Sequence, residues 1–358
     1  MFKKTILLLV SILSLCGLPA CSGGEGGALD NISVVSSPLD FTNDPENCGA
    51  TGYACVGGRD CVDSVCSPAW IVMSDIDAPS ERRYAASAEL NGQYVIYGGC
   101  ALGSAFDDGF AYNPANDTWS ALSPMSTARG GHSLTSTDAG IYAMGGLTDC
   151  SSGNSTGPVL EVLYTESSTW QPVEVQNGLL AYNSQMIFTG SELFHFGGGT
   201  TGAPAVTDGK ILALGTDWQD YPCDVENCER GEEYSMFFTS PYAYVWGGEG
   251  LSFDTVNKTW AAWQVPANTP DISAMAGLSS PPRYADDGRR LFYPDTDGTV
   301  KIFDRNTETW STDSTAAPTG FCNEGPASWV GGEMIQWGGM CNIPYMTTVG
   351  VRYQPPAP

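Results

Sequence analysis

Tyr94-Val95-Ile96-Tyr97-Gly98-Gly99, an apolar run that stops at a glycine pair, is the stretch on which the rest of this chain is patterned. Variations on it recur as Ile141-Tyr142-Ala143-Met144-Gly145-Gly146, Leu193-Phe194-His195-Phe196-Gly197-Gly198, Ala243-Tyr244-Val245-Trp246-Gly247-Gly248 and Met334-Ile335-Gln336-Trp337-Gly338-Gly339. Gly98, Gly145, Gly197 and Gly247 are almost evenly spaced, but the step on to Gly338 is nearly twice the others and has room for one more copy. Arg290-Leu291-Phe292-Tyr293-Pro294-Asp295 stands in that gap with the strand intact and the glycines lost. Six copies at a period of about 45 to 50 residues imply a repeat of four-stranded units.

A second landmark keeps step with the first. Each of the first five copies is followed by a strand ending in a polar turn and a tryptophan: Asp117-Thr118-Trp119, Ser168-Thr169-Trp170, Thr216-Asp217-Trp218, Lys258-Thr259-Trp260 and Glu308-Thr309-Trp310. The step from each tryptophan to the next copy's glycine position is nearly constant: Trp119 to Gly145, Trp170 to Gly197, Trp218 to Gly247 and Trp310 to Gly338, with Trp260 to Pro294 slightly longer. After Gly339 only a short tail remains, with one strand (347 to 353) and no tryptophan. The missing outer strand is at the other end of the chain, where Trp70 precedes Gly98 by the same step.

These glycine pairs, tryptophan-ended strands and offset closure resemble the kelch family, over roughly residues 68–358. The resemblance implies an all-β fold, a six-bladed kelch-type β-propeller whose last blade is closed by the N-terminal strand. The physics agrees, because one blade cannot bury both faces of its sheet while a closed ring stacks each blade on two neighbours. Glycines at the strand ends permit positive φ and close backbone approach, and each tryptophan fills the space between adjacent blades.

Residues 1–20 carry Lys3 and Lys4, an apolar run from Thr5 to Leu18 and then small residues, the pattern of a signal peptide. Leu18-Pro19-Ala20-Cys21 resembles a bacterial lipobox, which implies acylation of Cys21 and a protein held at the outer membrane or cell surface by lipid alone. Ordinary secretion or periplasmic residence is the alternative. Residues 21–47 read as a flexible tether and 48–67 as a small cysteine-rich knot.

Loss of the leader and acylation of Cys21 leave ten cysteines, an even number that favours disulfides over zinc in an exported chain. Cys48, Cys55, Cys61 and Cys66 form the knot, with three pairings open. If the blade reading holds, the other six fall in loops on one face of the ring and are expected to pair as Cys100 with Cys150, Cys223 with Cys228 and Cys322 with Cys341.

The formal charge is −25, and loss of Lys3 and Lys4 with the leader takes it two units further. Such a surface repels nucleic acid and anionic membranes and favours solubility. Asp295-Thr296-Asp297-Gly298 begins like a calcium loop but lacks the downstream glutamate, and a hairpin turn uses the same residues. No metal and no cofactor is expected.

Arg82 stands before Gly98 at the same spacing as Arg129 before Gly145, so the two occupy equivalent positions in neighbouring blades. That position holds Ala181, Gly231, Leu278 and Cys322 in the other four, and His132, Glu232, Glu233, Tyr234, Arg283, Tyr284 and Glu324 lie close by in sequence. Ligand binding at a channel mouth is expected to involve Arg82, Arg129, His132, Tyr234, Arg283 and Glu324, with guanidinium forks suited to carboxylates. The competing reading is that these arginines brace the blades.

The chain is therefore read as a monomeric binding or interaction module for a protein or glycan at the cell envelope. The alternative is a carbohydrate-active enzyme resembling a periplasmic sialic acid mutarotase, with Arg82, Arg129, Arg283 and Glu324 at its site and the glutamate moving the proton. A copper oxidase resembling galactose oxidase needs two histidines at one site, and His195 sits inside a strand. His-Glu-x-x-His and phosphate-loop motifs are absent.

Overall fold

The computed structural model describes residues 40–151, 154–156, 159–176, 181–199, 209–225, 228, 234–247, 249–270, 284–295, 297–342 and 345–358, without the side chains of residues 341, 342 and 345. Six four-stranded antiparallel sheets follow one another along it as blades. The first has, from the axis outward, Ala86–Leu90, Gln93–Tyr97, Gly109–Asn113 and Thr118–Leu122. The second, third, fourth and fifth blades start at Ser133–Thr137, Gln185–Phe188, Ser235–Thr239 and Ala285–Asp286 and keep the same order. The sixth takes Ala327–Val330, Glu333–Trp337 and Gly350–Tyr353 from the C-terminal end, and Trp70–Val72 pairs with Gly350–Tyr353 as its outer strand.

Turn chemistry sets the strand ends. Asn91 and Gly92 both have positive φ, as do Gly331 and Gly332, which is the conformation a tight hairpin asks of its two central residues. Asp117, Lys258 and Glu308, each two residues before a tryptophan, also adopt positive φ, so the polar turn in the repeat is a backbone requirement.

Each tryptophan packs back onto the preceding blade. Trp170 meets Tyr97 edge-on at 5.0 Å, Trp260 lies 5.0 Å from Phe196, and Trp119 meets Trp337 of the sixth blade at 6.1 Å. Trp218 joins Tyr142 and Met144, Trp310 faces Trp246, and Trp70 joins Phe292 and Ile302 of the fifth blade. Several indoles also donate to the carbonyl where the preceding outer strand ends: Trp119 to Ser74, Trp260 to Tyr221 and Trp70 to Thr315, at 2.9 to 3.0 Å. Large apolar area fills each seam, and in these three the N–H is satisfied as well.

Near the axis the inner strands are stapled by side chains. Gln185 donates to the Tyr234 carbonyl at 2.8 Å and accepts the Met236 N–H at 2.7 Å, bridging the third and fourth blades. Ser133 donates to the Ser184 carbonyl, Tyr284 to the Met236 carbonyl, and Ser87 and Ser328 share a hydrogen bond across the sixth-to-first seam.

The knot pairs Cys48 with Cys61 and Cys55 with Cys66. Residues 40–47, expected to be tether, are instead folded into turns: the Phe41, Thr42 and Pro45 carbonyls accept the N–H groups of Gly49, Ser64 and Cys55. Asp40 and Asp44 cap these turns by accepting backbone N–H groups, which is why a polar stretch here is ordered. The knot docks on the sixth blade through Arg59, which donates to Gln354 at 2.8 Å and Glu333 at 3.2 Å, while Arg352 engages the same Glu333 carboxylate.

Candidate functional site

Arg82 and Arg129 occupy the equivalent positions their spacing implies, and both are buried, at 1% and 0% exposure. Arg82 donates to the Gly98 carbonyl at 3.0 Å and grips Asp108 with both terminal nitrogens, under the Phe106 ring. Arg129 donates to the Gly145 carbonyl at 3.2 Å and pairs with Glu161, itself fully buried. Each guanidinium therefore ties the glycine pair of its own blade to a carboxylate at the start of that blade's third strand. Burial pushes the Arg129 pKa down and the Glu161 charge opposes it. The forks suited to an incoming carboxylate are occupied by internal ones, so neither arginine is presented at a mouth.

His132 and Tyr234 are equivalent to each other, three residues beyond the arginine position. Each packs against the first glycine of the preceding blade's pair. A Cβ on Gly98 would come within 2.8 Å of the His132 ring, and one on Gly197 within 2.7 Å of the Tyr234 ring. Tyr234 donates to the Phe196 carbonyl and accepts the Gln185 N–H at 2.8 Å. His132 is fully buried with no partner for either nitrogen among the described residues, and burial, with Arg129 beside it, pushes its pKa down to about 3. These two side chains are the filling that the glycines make room for, a pairing visible only once blades are set side by side.

Glu324 is half-buried and already engaged by a neighbour. Arg283, Glu232 and Glu233 lie outside the described residues. His195 is buried against Trp218, 6.0 Å between ring centres, with burial and then Lys210 lowering its pKa to about 3. The two histidines belong to different blades, each fully buried, and do not form a copper site. Asp297 accepts the Thr299 N–H and hydroxyl, and Asp295 faces Lys301, as in a hairpin turn. Cys48, Cys55 and Cys66 bring three sulfurs together, but they are bonded as disulfides.

On the face carrying the glycine pairs, Cys100 is bonded to Cys150 and Cys223 to Cys228. Cys322 is disulfide-bonded, and the side chain of its expected partner Cys341 lies outside the described residues. The first of these bonds lies beside a feature the sequence did not announce. Cys100–Ala101, Ser104–Ala105, Leu147–Asp149 and Asn154–Ser155 form a four-stranded sheet joining the loops of the first two blades. Strands of two or three residues carry no hydrophobic alternation to detect. At the tip of this platform Leu102 is fully exposed, in a positive-φ conformation.

Toward the opposite end, where the inner strands run into their first hairpins, lies an axial cavity of about 390 Å³ to which all six blades contribute. Glu89, Ser136, Phe188, Phe238, Asp286 and Trp329 line it on that side, over Leu134 and Met186. None of these six was singled out in the sequence, because one residue per blade converges only after the ring is closed.

The chain matches the kelch motif over residues 81–126. It is 27% identical over 130 residues to an F-box/kelch-repeat protein of Arabidopsis thaliana, an alignment covering 36% of this chain and 33% of the plant protein. The chain thus aligns with about a third of the length of that curated relative. The kelch motif and the blade topology agree on a kelch β-propeller, a repeat type suited to protein interaction.

Proposed function

We propose that this protein is an exported, lipid-anchored kelch propeller that binds a protein partner at the cell envelope, using the disulfide-tied loop face as its contact surface. The observation that carries this is the loop platform of the first two blades, which holds exposed Leu102 on a rigid base. Preorganised loops on a rigid scaffold lower the ordering cost of binding. The acid/base alternative is weakened because Arg82 and Arg129 already have internal carboxylate partners.

Site-specific photo-crosslinking in cells tests the surface. A crosslinker at position 102 is expected to capture a discrete partner, and one at exposed Val256, in the outer hairpin of the fourth blade, is not. Equal capture at both positions, or none at 102, would sink the assignment. Mass spectrometry of the mature N-terminus tests the anchor: an acylated Cys21 is expected, and a cleaved, unmodified N-terminus would remove it.

A further inference from the structure

We propose that the axial cavity binds a small monovalent organic cation, an ammonium group carried on an apolar or aromatic body. Its volume of about 390 Å³ is that of a small-ligand site. Among the residues lining it there is no lysine, arginine or histidine, while Phe188, Phe238 and Trp329 supply aromatic surface and Glu89 and Asp286 supply carboxylates. The three aromatic side chains and Glu89 are half-buried, partly reachable from solvent yet largely shielded from it.

The two carboxylates differ in what they have left to offer. Asp286 accepts the Gly288 N–H at 2.8 Å and is ion-paired with Arg305, so its charge is met inside the protein. Glu89 has no cationic partner among the described residues. Its Oε1 accepts the Gly92 N–H at 2.6 Å, which fixes the carboxylate, and its backbone is held by exchange of hydrogen bonds with the Ser136 hydroxyl. One uncompensated, preorganised carboxylate in a chamber with three aromatic side chains calls for one positive charge.

The lining also discriminates against other ligands. An anion, including an acidic sugar, meets a negative wall within a protein of net charge −25, a field that draws cations inward. A neutral sugar needs many hydrogen-bond donors, yet Thr135, Ser136 and Tyr284 already donate to backbone carbonyls and Ser87 and Ser328 share a hydrogen between them. A divalent metal needs several oxygen ligands, and only one carboxylate is available. An organic cation needs only an acceptor and ring faces.

Calorimetry of the full chain with benzyltrimethylammonium is the test. It runs against the neutral isostere 2-methyl-1-phenyl-2-propanol, against benzenesulfonate and against cellobiose. Saturable one-site binding of the cation is expected, weakening as salt is raised and at least tenfold weaker in Glu89→Gln, which keeps the acceptor for Gly92 and removes only the charge. Phe238→Leu, away from that hydrogen bond, is expected to weaken it as well. Absence of saturable binding, an unchanged affinity in Glu89→Gln, or equal affinity for the neutral isostere or the disaccharide would overturn the proposal.

Discussion

Glu161 and Asp108 answer the same arginine position from two different environments, so their removal separates burial from pairing. Glu161→Gln leaves Arg129 charged, buried and unmatched and is expected to cost about 3 to 5 kcal/mol. Asp108 is 41% exposed, so water can replace it, and Asp108→Asn is expected to cost about 1 kcal/mol. Urea unfolding of the two variants measures the difference, and equal losses would contradict this account. The equivalence of Arg82 and Arg129 was legible from their common spacing, but their acidic partners were not: those lie far downstream on another strand, beyond any local pattern. The histidines give a second test. Both are held neutral with pKa values of about 3, below their unfolded value of about 6.5, so the unfolded chain takes up protons that the folded one refuses. Their contribution is therefore fully present above pH about 6.5 and is lost as pH falls toward about 3, by about 2 kcal/mol per histidine at pH 5. Unfolding free energies measured at pH 7, 6 and 5 should show a shallower decline in His195→Leu than in the parent chain; an identical decline would mean that His195 is protonated in the folded state.

Among the elements, the strand-ending glycine pairs were the most legible because they serve two constraints at once. Gly145 adopts φ of +70°, and a Cβ there would collide with the Ala181 carbonyl oxygen of the next blade. Gly92 has a similar φ of +75° with open space around it. Gly145→Ala is thus expected to lose several kcal/mol, combining backbone strain with a clash, and Gly92→Asn to lose well under about 1 kcal/mol, since asparagine tolerates the left-handed region. Thermal unfolding of the pair decides whether space or φ dominates. In the fifth blade the pair is absent, and Tyr293-Pro294 ends the strand in its place. The platform of the first two blades was illegible for the opposite reason. Its cysteines could be matched by their place after successive glycine pairs, but its short strands are defined by partners from another blade.

For the whole molecule, the ring and its clamp were read with unequal success. The count of tryptophans placed the closing strand at Trp70, whereas the knot's attachment to the sixth blade depends on Arg59, Glu333, Arg352 and Gln354, polar residues with no repeat to mark them. Glu333→Ala removes the one carboxylate shared by two buried guanidinium groups, and a loss of about 3 to 5 kcal/mol is expected, with the Cys48 to Cys61 bond becoming more quickly reducible as the knot lifts away. Unchanged reduction kinetics would show that the knot is held by other contacts. The seam itself ties Trp70 to Tyr353, the first blade strand in the chain to the last. The two halves of this seam lie almost a whole propeller apart in sequence, so the ring closes only through the pairing of the two most distant blade strands of the chain.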